Sequence, residues 1–283
     1  MLSTPSTNGN NLLKVDNFKG DMKEEDQPVF SDTKKFSIII PAYNEENRIK
    51  PVLEEICTYI DLNNLPWDVI IAVDGNDRTE DIINSYNKKY PFVNLNKSSD
   101  RSGMGGAIKR GILASTAEYL ILMDSDSSSS LLSIIRSIEL LDKYDIVNFD
   151  RYSDPENKIP LRRRFPSRSL NLMLKLVYRI NISDTQCGYK IMRRDAVVPL
   201  VKRITISNAF FLSAMFIYAK DYGVSVVEIP IKYSHSYGSK FNVVMTSISY
   251  IVSIVAFKVR DTMLYDYTPK FIKRLYYRKL RYL

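Results

Sequence analysis

Four short β-branched or aliphatic runs separated by helical patterns constrain this chain more than any other feature. Phe36-Ser-Ile-Ile-Ile40, Asp68-Val-Ile-Ile-Ala-Val73, Phe92-Val-Asn-Leu95 and Tyr119-Leu-Ile-Leu-Met123 each read as a buried strand, the first ended by Pro41. Between the first two, Ile49, Val52, Leu53, Ile56, Cys57 and Ile60 recur every three or four residues, with Lys50, Glu54 and Glu55 on the other side. That spacing predicts an amphipathic helix that tolerates Pro51 in its first turn. Further helices are predicted from Thr79 to about Lys89, and from the glycine-rich turn at Gly103–Gly106 to about Ser115. Strand and helix alternating in this way predict an α/β fold, a mostly parallel sheet with helices on both faces. Ligands of such sheets bind beyond the carboxyl ends of the strands. The loops leaving those ends, Pro41–Asn47, Asp74–Arg78 and Asp124–Ser130, are therefore expected to converge.

Composition narrows the chemistry. A chain of 283 residues with 45% hydrophobic content can bury one substantial core. The single histidine, His235, removes histidine-based metal cages and a Ser/His/Asp triad, so any metal would be held by oxygen. Cys57 and Cys187 support neither a disulfide framework nor a zinc spacing, which fits a reducing compartment. The net charge of +8 predicts an anionic partner without saying which one. Residues 1–34 are polar or charged and carry no apolar signal-peptide core, and are expected to form a disordered tail with order beginning at Lys35 or Phe36.

Asp124-Ser-Asp126 is the sharpest local feature, two carboxylates at the end of an apolar strand. A chain turning out of a strand can aim both at one hard cation, Mg²⁺ or Mn²⁺, that offsets the charge of a diphosphate. The same residues equally suit a polar loop that caps a helix beginning near Leu131.

Pro41-Ala-Tyr-Asn-Glu45, Asp74-Gly75, Gly105-Gly-Ala-Ile-Lys-Arg-Gly111 and Asp124-Ser-Asp126, in that order, resemble the signature of family 2 glycosyltransferases of the GT-A fold. Asp184-Thr-Gln-Cys-Gly-Tyr-Lys190 and Gly238-Ser-Lys240 are similar to blocks of the subgroup that glycosylates dolichyl phosphate. The resemblance runs from about Phe36 to Phe257 and implies a GT-A catalytic domain over residues 35–239. It implies a nucleotide-sugar site at Pro41, Tyr43, Glu45, Asp74, Gly105, Lys109 and Asp124, with metal and diphosphate at Asp124 and Asp126. On the acceptor side it implies Asp184 orienting or deprotonating the nucleophile, with Gln186, Lys190, Ser239 and Lys240 in the same pocket. The expected activity is inverting transfer of a hexose, glucose from UDP-glucose with GDP-mannose as the alternative, to a polyprenyl phosphate. Three positions depart from the pattern: Val73 replaces an aspartate, Met104 replaces a lysine near the phosphates, where Arg101 or Lys109 is the candidate substitute, and His235 precedes Gly-Ser-Lys.

The acceptor's chemistry agrees. A phosphate monoester has a second pKa of about 6, so it is largely dianionic at neutral pH and needs charge neutralisation rather than a strong base. Arg162, Arg163, Arg164, Arg168, Lys175 and Arg179 form an acid-free basic stretch, within which the resemblance implies Arg168 as the phosphate clamp, against the plainer reading of a solvated or membrane-facing patch. Between Lys240 and Lys258 there is no formal charge, but the stretch is shorter than the about 20 apolar residues a span needs and is broken by polar residues. With the basic, aromatic stretch from Lys270 to Leu283, residues 240–283 are expected to form amphipathic interfacial helices on an anionic membrane surface, at its cytoplasmic face. A nucleic-acid-binding module and a nucleotide-binding scaffold without turnover are the competing classes. No recognisable nucleic-acid motif accompanies the charge.

Overall fold

The structure is a computed structural model that describes residues 15–17, 34–126, 128–234 and 243–260. Its centre is one sheet of eight strands: β1 (Val15–Asn17), β2 (Phe36–Tyr43), β3 (Asp68–Asp74), β4 (Val93–Lys97), β5 (Tyr119–Leu122), β6 (Ile146–Asp150), β7 (Lys190–Arg193) and β8 (Val226–Pro230). They lie in the order β1-β8-β6-β7-β5-β2-β3-β4. All pairings are parallel except those of β7 with β5 and β6, so the expected mostly parallel sheet is present.

Alternation along β2 shows why both faces are covered. Ile38 and Ile40 pack on one side against Ile49, Val52, Leu53 and Ile56 of α1 (Ile49–Leu62). Ile39 points the other way, to Ile108 and Ile112 of α3 (Gly103–Ala114). A Cβ at Gly111 would come within 2.5 Å of Ile39 Cγ2, so the glycine lets α3 lie directly on the sheet. Helix α2 (Thr79–Lys89) joins the α1 face. The remaining helices are α4 (Leu131–Ile135), α5 (Leu161–Tyr178), α6 (Arg194–Arg203), α7 (Phe211–Asp221) and α8 (Val243–Arg260). Ser130 caps α4 by accepting from Ser133 N, at the position where the sequence predicts a cap.

Two expectations are revised. Pro41 does not stop its strand: β2 continues to Tyr43, paired with Asp74 of β3. The Ile39 carbonyl faces β5 and accepts from Met123 N, and Pro41, two residues on, faces the same edge where β5 has ended. Its missing N–H therefore removes no ladder bond. The N-terminal tail is also not structureless throughout, because Val15–Asn17 pairs with Val226–Glu228 as an edge strand. No helix of the described residues is long and apolar enough to cross a membrane.

Candidate active site

The loops after β2 and β3 are stitched together. Asn44 accepts from Asn76 N, Glu46 N donates to Asp77, and Glu45 N donates to Thr79 Oγ1 at 2.8 Å. Asn44 has φ 55°, and Gly75, at φ 116°, lies so close that a Cβ would meet Asn44 Oδ1 at 2.2 Å. The loop between β4 and α3 joins through Asp74, whose buried carboxylate accepts from Ser102 N at 2.7 Å, from Ser102 Oγ, and from Arg110 Nη2 at 3.0 Å. Asp74 thus locks the start of α3 to the end of β3. Glu45 is buried in a two-pronged ion pair with Arg48, 2.7 Å on each arm. Tyr43 stays exposed, with the Arg101 guanidinium 4.3 Å from its ring centre.

Asp124 and Asp126 lie just past β5, at the carboxyl edge of the sheet. Among the described residues neither oxygen of Asp124 accepts a hydrogen bond. Burial first and the charge of Asp126 second push its carboxyl up to about 7, against the pull of Arg151 and Lys190. Gly188 forms the wall: a Cβ there would be 2.0 Å from Asp124 Oδ1. The glycine of the Asp184–Lys190 block thus makes room for the acid of another block. Asp126 accepts from Ser128 N at 3.2 Å and from the Ser128 hydroxyl.

No cluster of three or more acids, histidines or cysteines suited to a metal exists among the described residues. A pair of carboxylates, one without hydrogen bonds and destabilised when charged, fits a divalent cation that takes its other ligands from phosphate and water. Mg²⁺ in particular is commonly bound through one or two carboxylates plus substrate phosphates.

Arg151, whose charge acts on Asp124, is paired in turn with Asp184, which is fully buried. Its oxygens accept from Arg151 Nε at 2.7 Å and Nη2 at 2.9 Å, a two-pronged pair that sequence reasoning did not identify. The available signal was Asp150-Arg151 at the end of the apolar run Ile146–Phe149, the pattern already recognised at Asp124. Below it, Glu228 holds the loop: its carboxylate accepts from Ser183 N at 2.9 Å, Asp184 N at 3.1 Å and Asn148 Nδ2 at 2.9 Å. Burial raises the Glu228 pKa. Gln186 donates to Ser213 Oγ and accepts from Tyr250 of α8, both at 2.6 Å. Lys190 is buried, donates to the Cys187 carbonyl at 2.6 Å, and has its pKa lowered by that burial.

The structure places three further expected site residues. Lys109 donates to the Ile204 carbonyl at 2.7 Å and the Lys202 carbonyl at 3.3 Å, tying α3 to the end of α6. Gly105 is required by packing, since a Cβ would meet Phe211 Cβ at 2.4 Å and the Asn208 carbonyl at 2.5 Å. Arg168 lies on the exposed side of α5. Ser239, Lys240 and His235 lie outside the described residues.

A mostly parallel sheet covered by helices on both faces has the architecture of the GT-A fold. The chain belongs to glycosyl transferase family 2, whose family model matches residues 37–199, and it is a glycosyltransferase. It is 27% identical to a dolichyl-phosphate beta-glucosyltransferase of Trichomonas vaginalis over 76% of this chain and 68% of the relative. To the Dictyostelium discoideum dolichyl-phosphate beta-glucosyltransferase it is 26% identical, over 88% of this chain and 84% of the relative. Among solved structures, the glucosyl-3-phosphoglycerate synthase of Mycobacterium tuberculosis in complex with Mn²⁺, UDP-glucose and phosphoglyceric acid superposes with a TM-score of 0.63 at 13% identity, over 86% of each chain. That likeness bears on the fold.

Proposed function

We propose that the protein transfers glucose from UDP-glucose to dolichyl or another polyprenyl phosphate, with Asp124 and Asp126 holding Mg²⁺ or Mn²⁺. The observation that carries this reading is the destabilised carboxylate of Asp124, which accepts no hydrogen bond among the described residues and lies close enough to Arg151, the partner of Asp184, to feel its charge: a cation site beside a phosphate site. The relatives named as dolichyl-phosphate beta-glucosyltransferases support the acceptor and the sugar. A bound cation would neutralise charge on the departing nucleoside diphosphate.

The residues divide the remaining work. Tyr43, with Arg101 over its ring, Glu45 and the Asp74–Arg110–Ser102 lock shape the nucleoside side. Asp184 does not act as a base in this reading, because both oxygens already accept from Arg151 and the acceptor phosphate is dianionic near neutral pH. It instead fixes the plane of the guanidinium. Arg151 Nη1, which makes no hydrogen bond among the described residues, is left to receive a phosphate oxygen. Attack then occurs in line from the face opposite the leaving diphosphate, with inversion at the anomeric carbon. Positioning and charge compensation supply the catalysis, as expected when two anions must meet.

The test is to incubate purified protein with radiolabelled UDP-glucose or GDP-mannose, separately, with polyprenyl phosphate and either cation. Label entering the organic phase from UDP-glucose is the expected result. Transfer from GDP-mannose alone would reassign the sugar, and transfer from neither donor would refute the function.

A further inference from the structure

We infer that the outward face of α5, with the neighbouring α8, is a docking surface for an anionic lipid bilayer. This deepens the lipid-phosphate reading by placing the membrane on α5, outside the C-terminal stretch expected to carry it, together with α8 from within that stretch.

Leu161, Phe165, Leu172 and Leu176 are spaced four, seven and four residues apart, so they form one stripe along α5. They are 78%, 75%, 57% and 73% exposed. The opposite face of the same helix buries Leu170, Leu174 and Tyr178 in the core. Four large apolar side chains exposed along one helix face, rather than scattered singly, mark an interaction surface. Helix α8 packs against α5 through the Tyr178 hydroxyl, which donates to the Ile254 carbonyl at 2.9 Å, and through the Tyr178 and Phe257 rings. It exposes Ile251 and Val255 one turn apart.

Charge selects the occupant. Neither α5 nor α8 contains an aspartate or glutamate. Arg168 and Lys175 are exposed on α5 beside the stripe, Arg179 is exposed at its C-terminal cap, and Lys258 is exposed on α8. Apolar residues flanked by long cationic side chains match the boundary between acyl chains and anionic headgroups. A second copy of this chain would instead oppose like charges.

The same two helices hold the acceptor-side loop. From α5, Asn171 donates to the Ser183 carbonyl at 2.5 Å and accepts from Thr185 Oγ1 at 2.8 Å. From α8, Tyr250 donates to Gln186. A bilayer seated on this face would therefore carry its phospholipid headgroups to the level of the loop that contains Asp184.

The full chain is sedimented with vesicles of phosphatidylcholine alone and of phosphatidylcholine with 30% phosphatidylserine. The account expects binding to the anionic vesicles that weakens with salt, and a loss of about tenfold or more in partition for Leu161→Ser/Phe165→Ser/Leu172→Ser/Leu176→Ser, with UDP affinity unchanged. A second measurement avoids dependence on the multiple variant. Both native cysteines are buried, so a polarity-sensitive dye on Leu172→Cys reports this face alone. Its emission should shift to the blue with anionic vesicles. Unchanged partition of the serine variant, no dye shift in vesicle-bound protein, or a dimer in free solution that the serine variant dissociates would each overturn the inference. No sugar donor or acceptor is present, so this result and the transferase reading fail independently.

Discussion

Replacing Asp124 by Asn should strengthen the metal-free fold while abolishing turnover. In the metal-free protein the Asp124 carboxyl is pushed from 3.8 to about 7 by burial and by Asp126. At ~1.36 kcal/mol per pH unit, that displacement corresponds to a ceiling of about 4 kcal/mol against folding once the group is charged. Water reaching the open side of the carboxylate reduces this to roughly 2 kcal/mol. The sign follows from linkage. A carboxyl whose folded pKa lies above its unfolded value releases its proton more readily when unfolded, so wild-type stability falls as pH climbs from about 4 to about 7. Urea unfolding of metal-free wild type and Asp124→Asn at pH 4.0 and 7.5 measures both. The variant should be more stable by roughly 2 kcal/mol at pH 7.5, with most of the difference gone at pH 4.0. An Asn variant less stable than wild type at pH 7.5, or a difference independent of pH, would refute the picture of a carboxylate awaiting a cation.

Gly188→Ala places a methyl group 2.0 Å from Asp124 Oδ1, so the acid must move; Mn²⁺ affinity in a calorimetric titration should fall about tenfold or more. Glu228→Gln replaces a buried acceptor of Ser183 N, Asp184 N and Asn148 with a neutral amide, which should reduce unfolding free energy by about 2 kcal/mol and lower turnover with little change in UDP binding. Arg151→Lys loses the planar fork on Asp184; we expect roughly a hundredfold lower kcat/KM for polyprenyl phosphate and an unaltered dissociation constant for UDP.

Periodicity made the N-terminal half of the sheet legible, because each strand is a nearly continuous apolar run and each intervening helix has a clear buried stripe. The helix predicted from Thr79 to Lys89 has those bounds in the structure, and the strand predicted from Asp68 ends one residue later. Beyond Met123 local pattern gave less. β7 has four residues and is held between two antiparallel neighbours, a tertiary relationship that Lys-Ile-Met-Arg does not encode. Asp74 and Asp124 were legible as acids at strand ends and Asp184 only through the resemblance, whereas their partners were not. Arg151 meets Asp184 from 33 positions away, and Arg110 meets Asp74 from 36. Lys109 and Arg110 are neighbours on one helix, and only packing decides that Arg110 turns to the site while Lys109 turns to α6. The resemblance implies Gly105 at the nucleotide-sugar site, and the close approach of α7 by itself already requires a glycine there.

The central claim is that Asp124 and Asp126 together hold a divalent cation against the donor's diphosphate. Paramagnetic broadening of the ³¹P resonances of UDP by substoichiometric Mn²⁺ measures that contact directly. With wild-type protein the β-phosphorus signal should broaden beyond its value for Mn²⁺ and UDP free in solution, and Asp124→Asn and Asp126→Asn should each remove the excess. Equal broadening in wild type and both variants would show that the cation and diphosphate meet without these carboxylates, and would contradict the account.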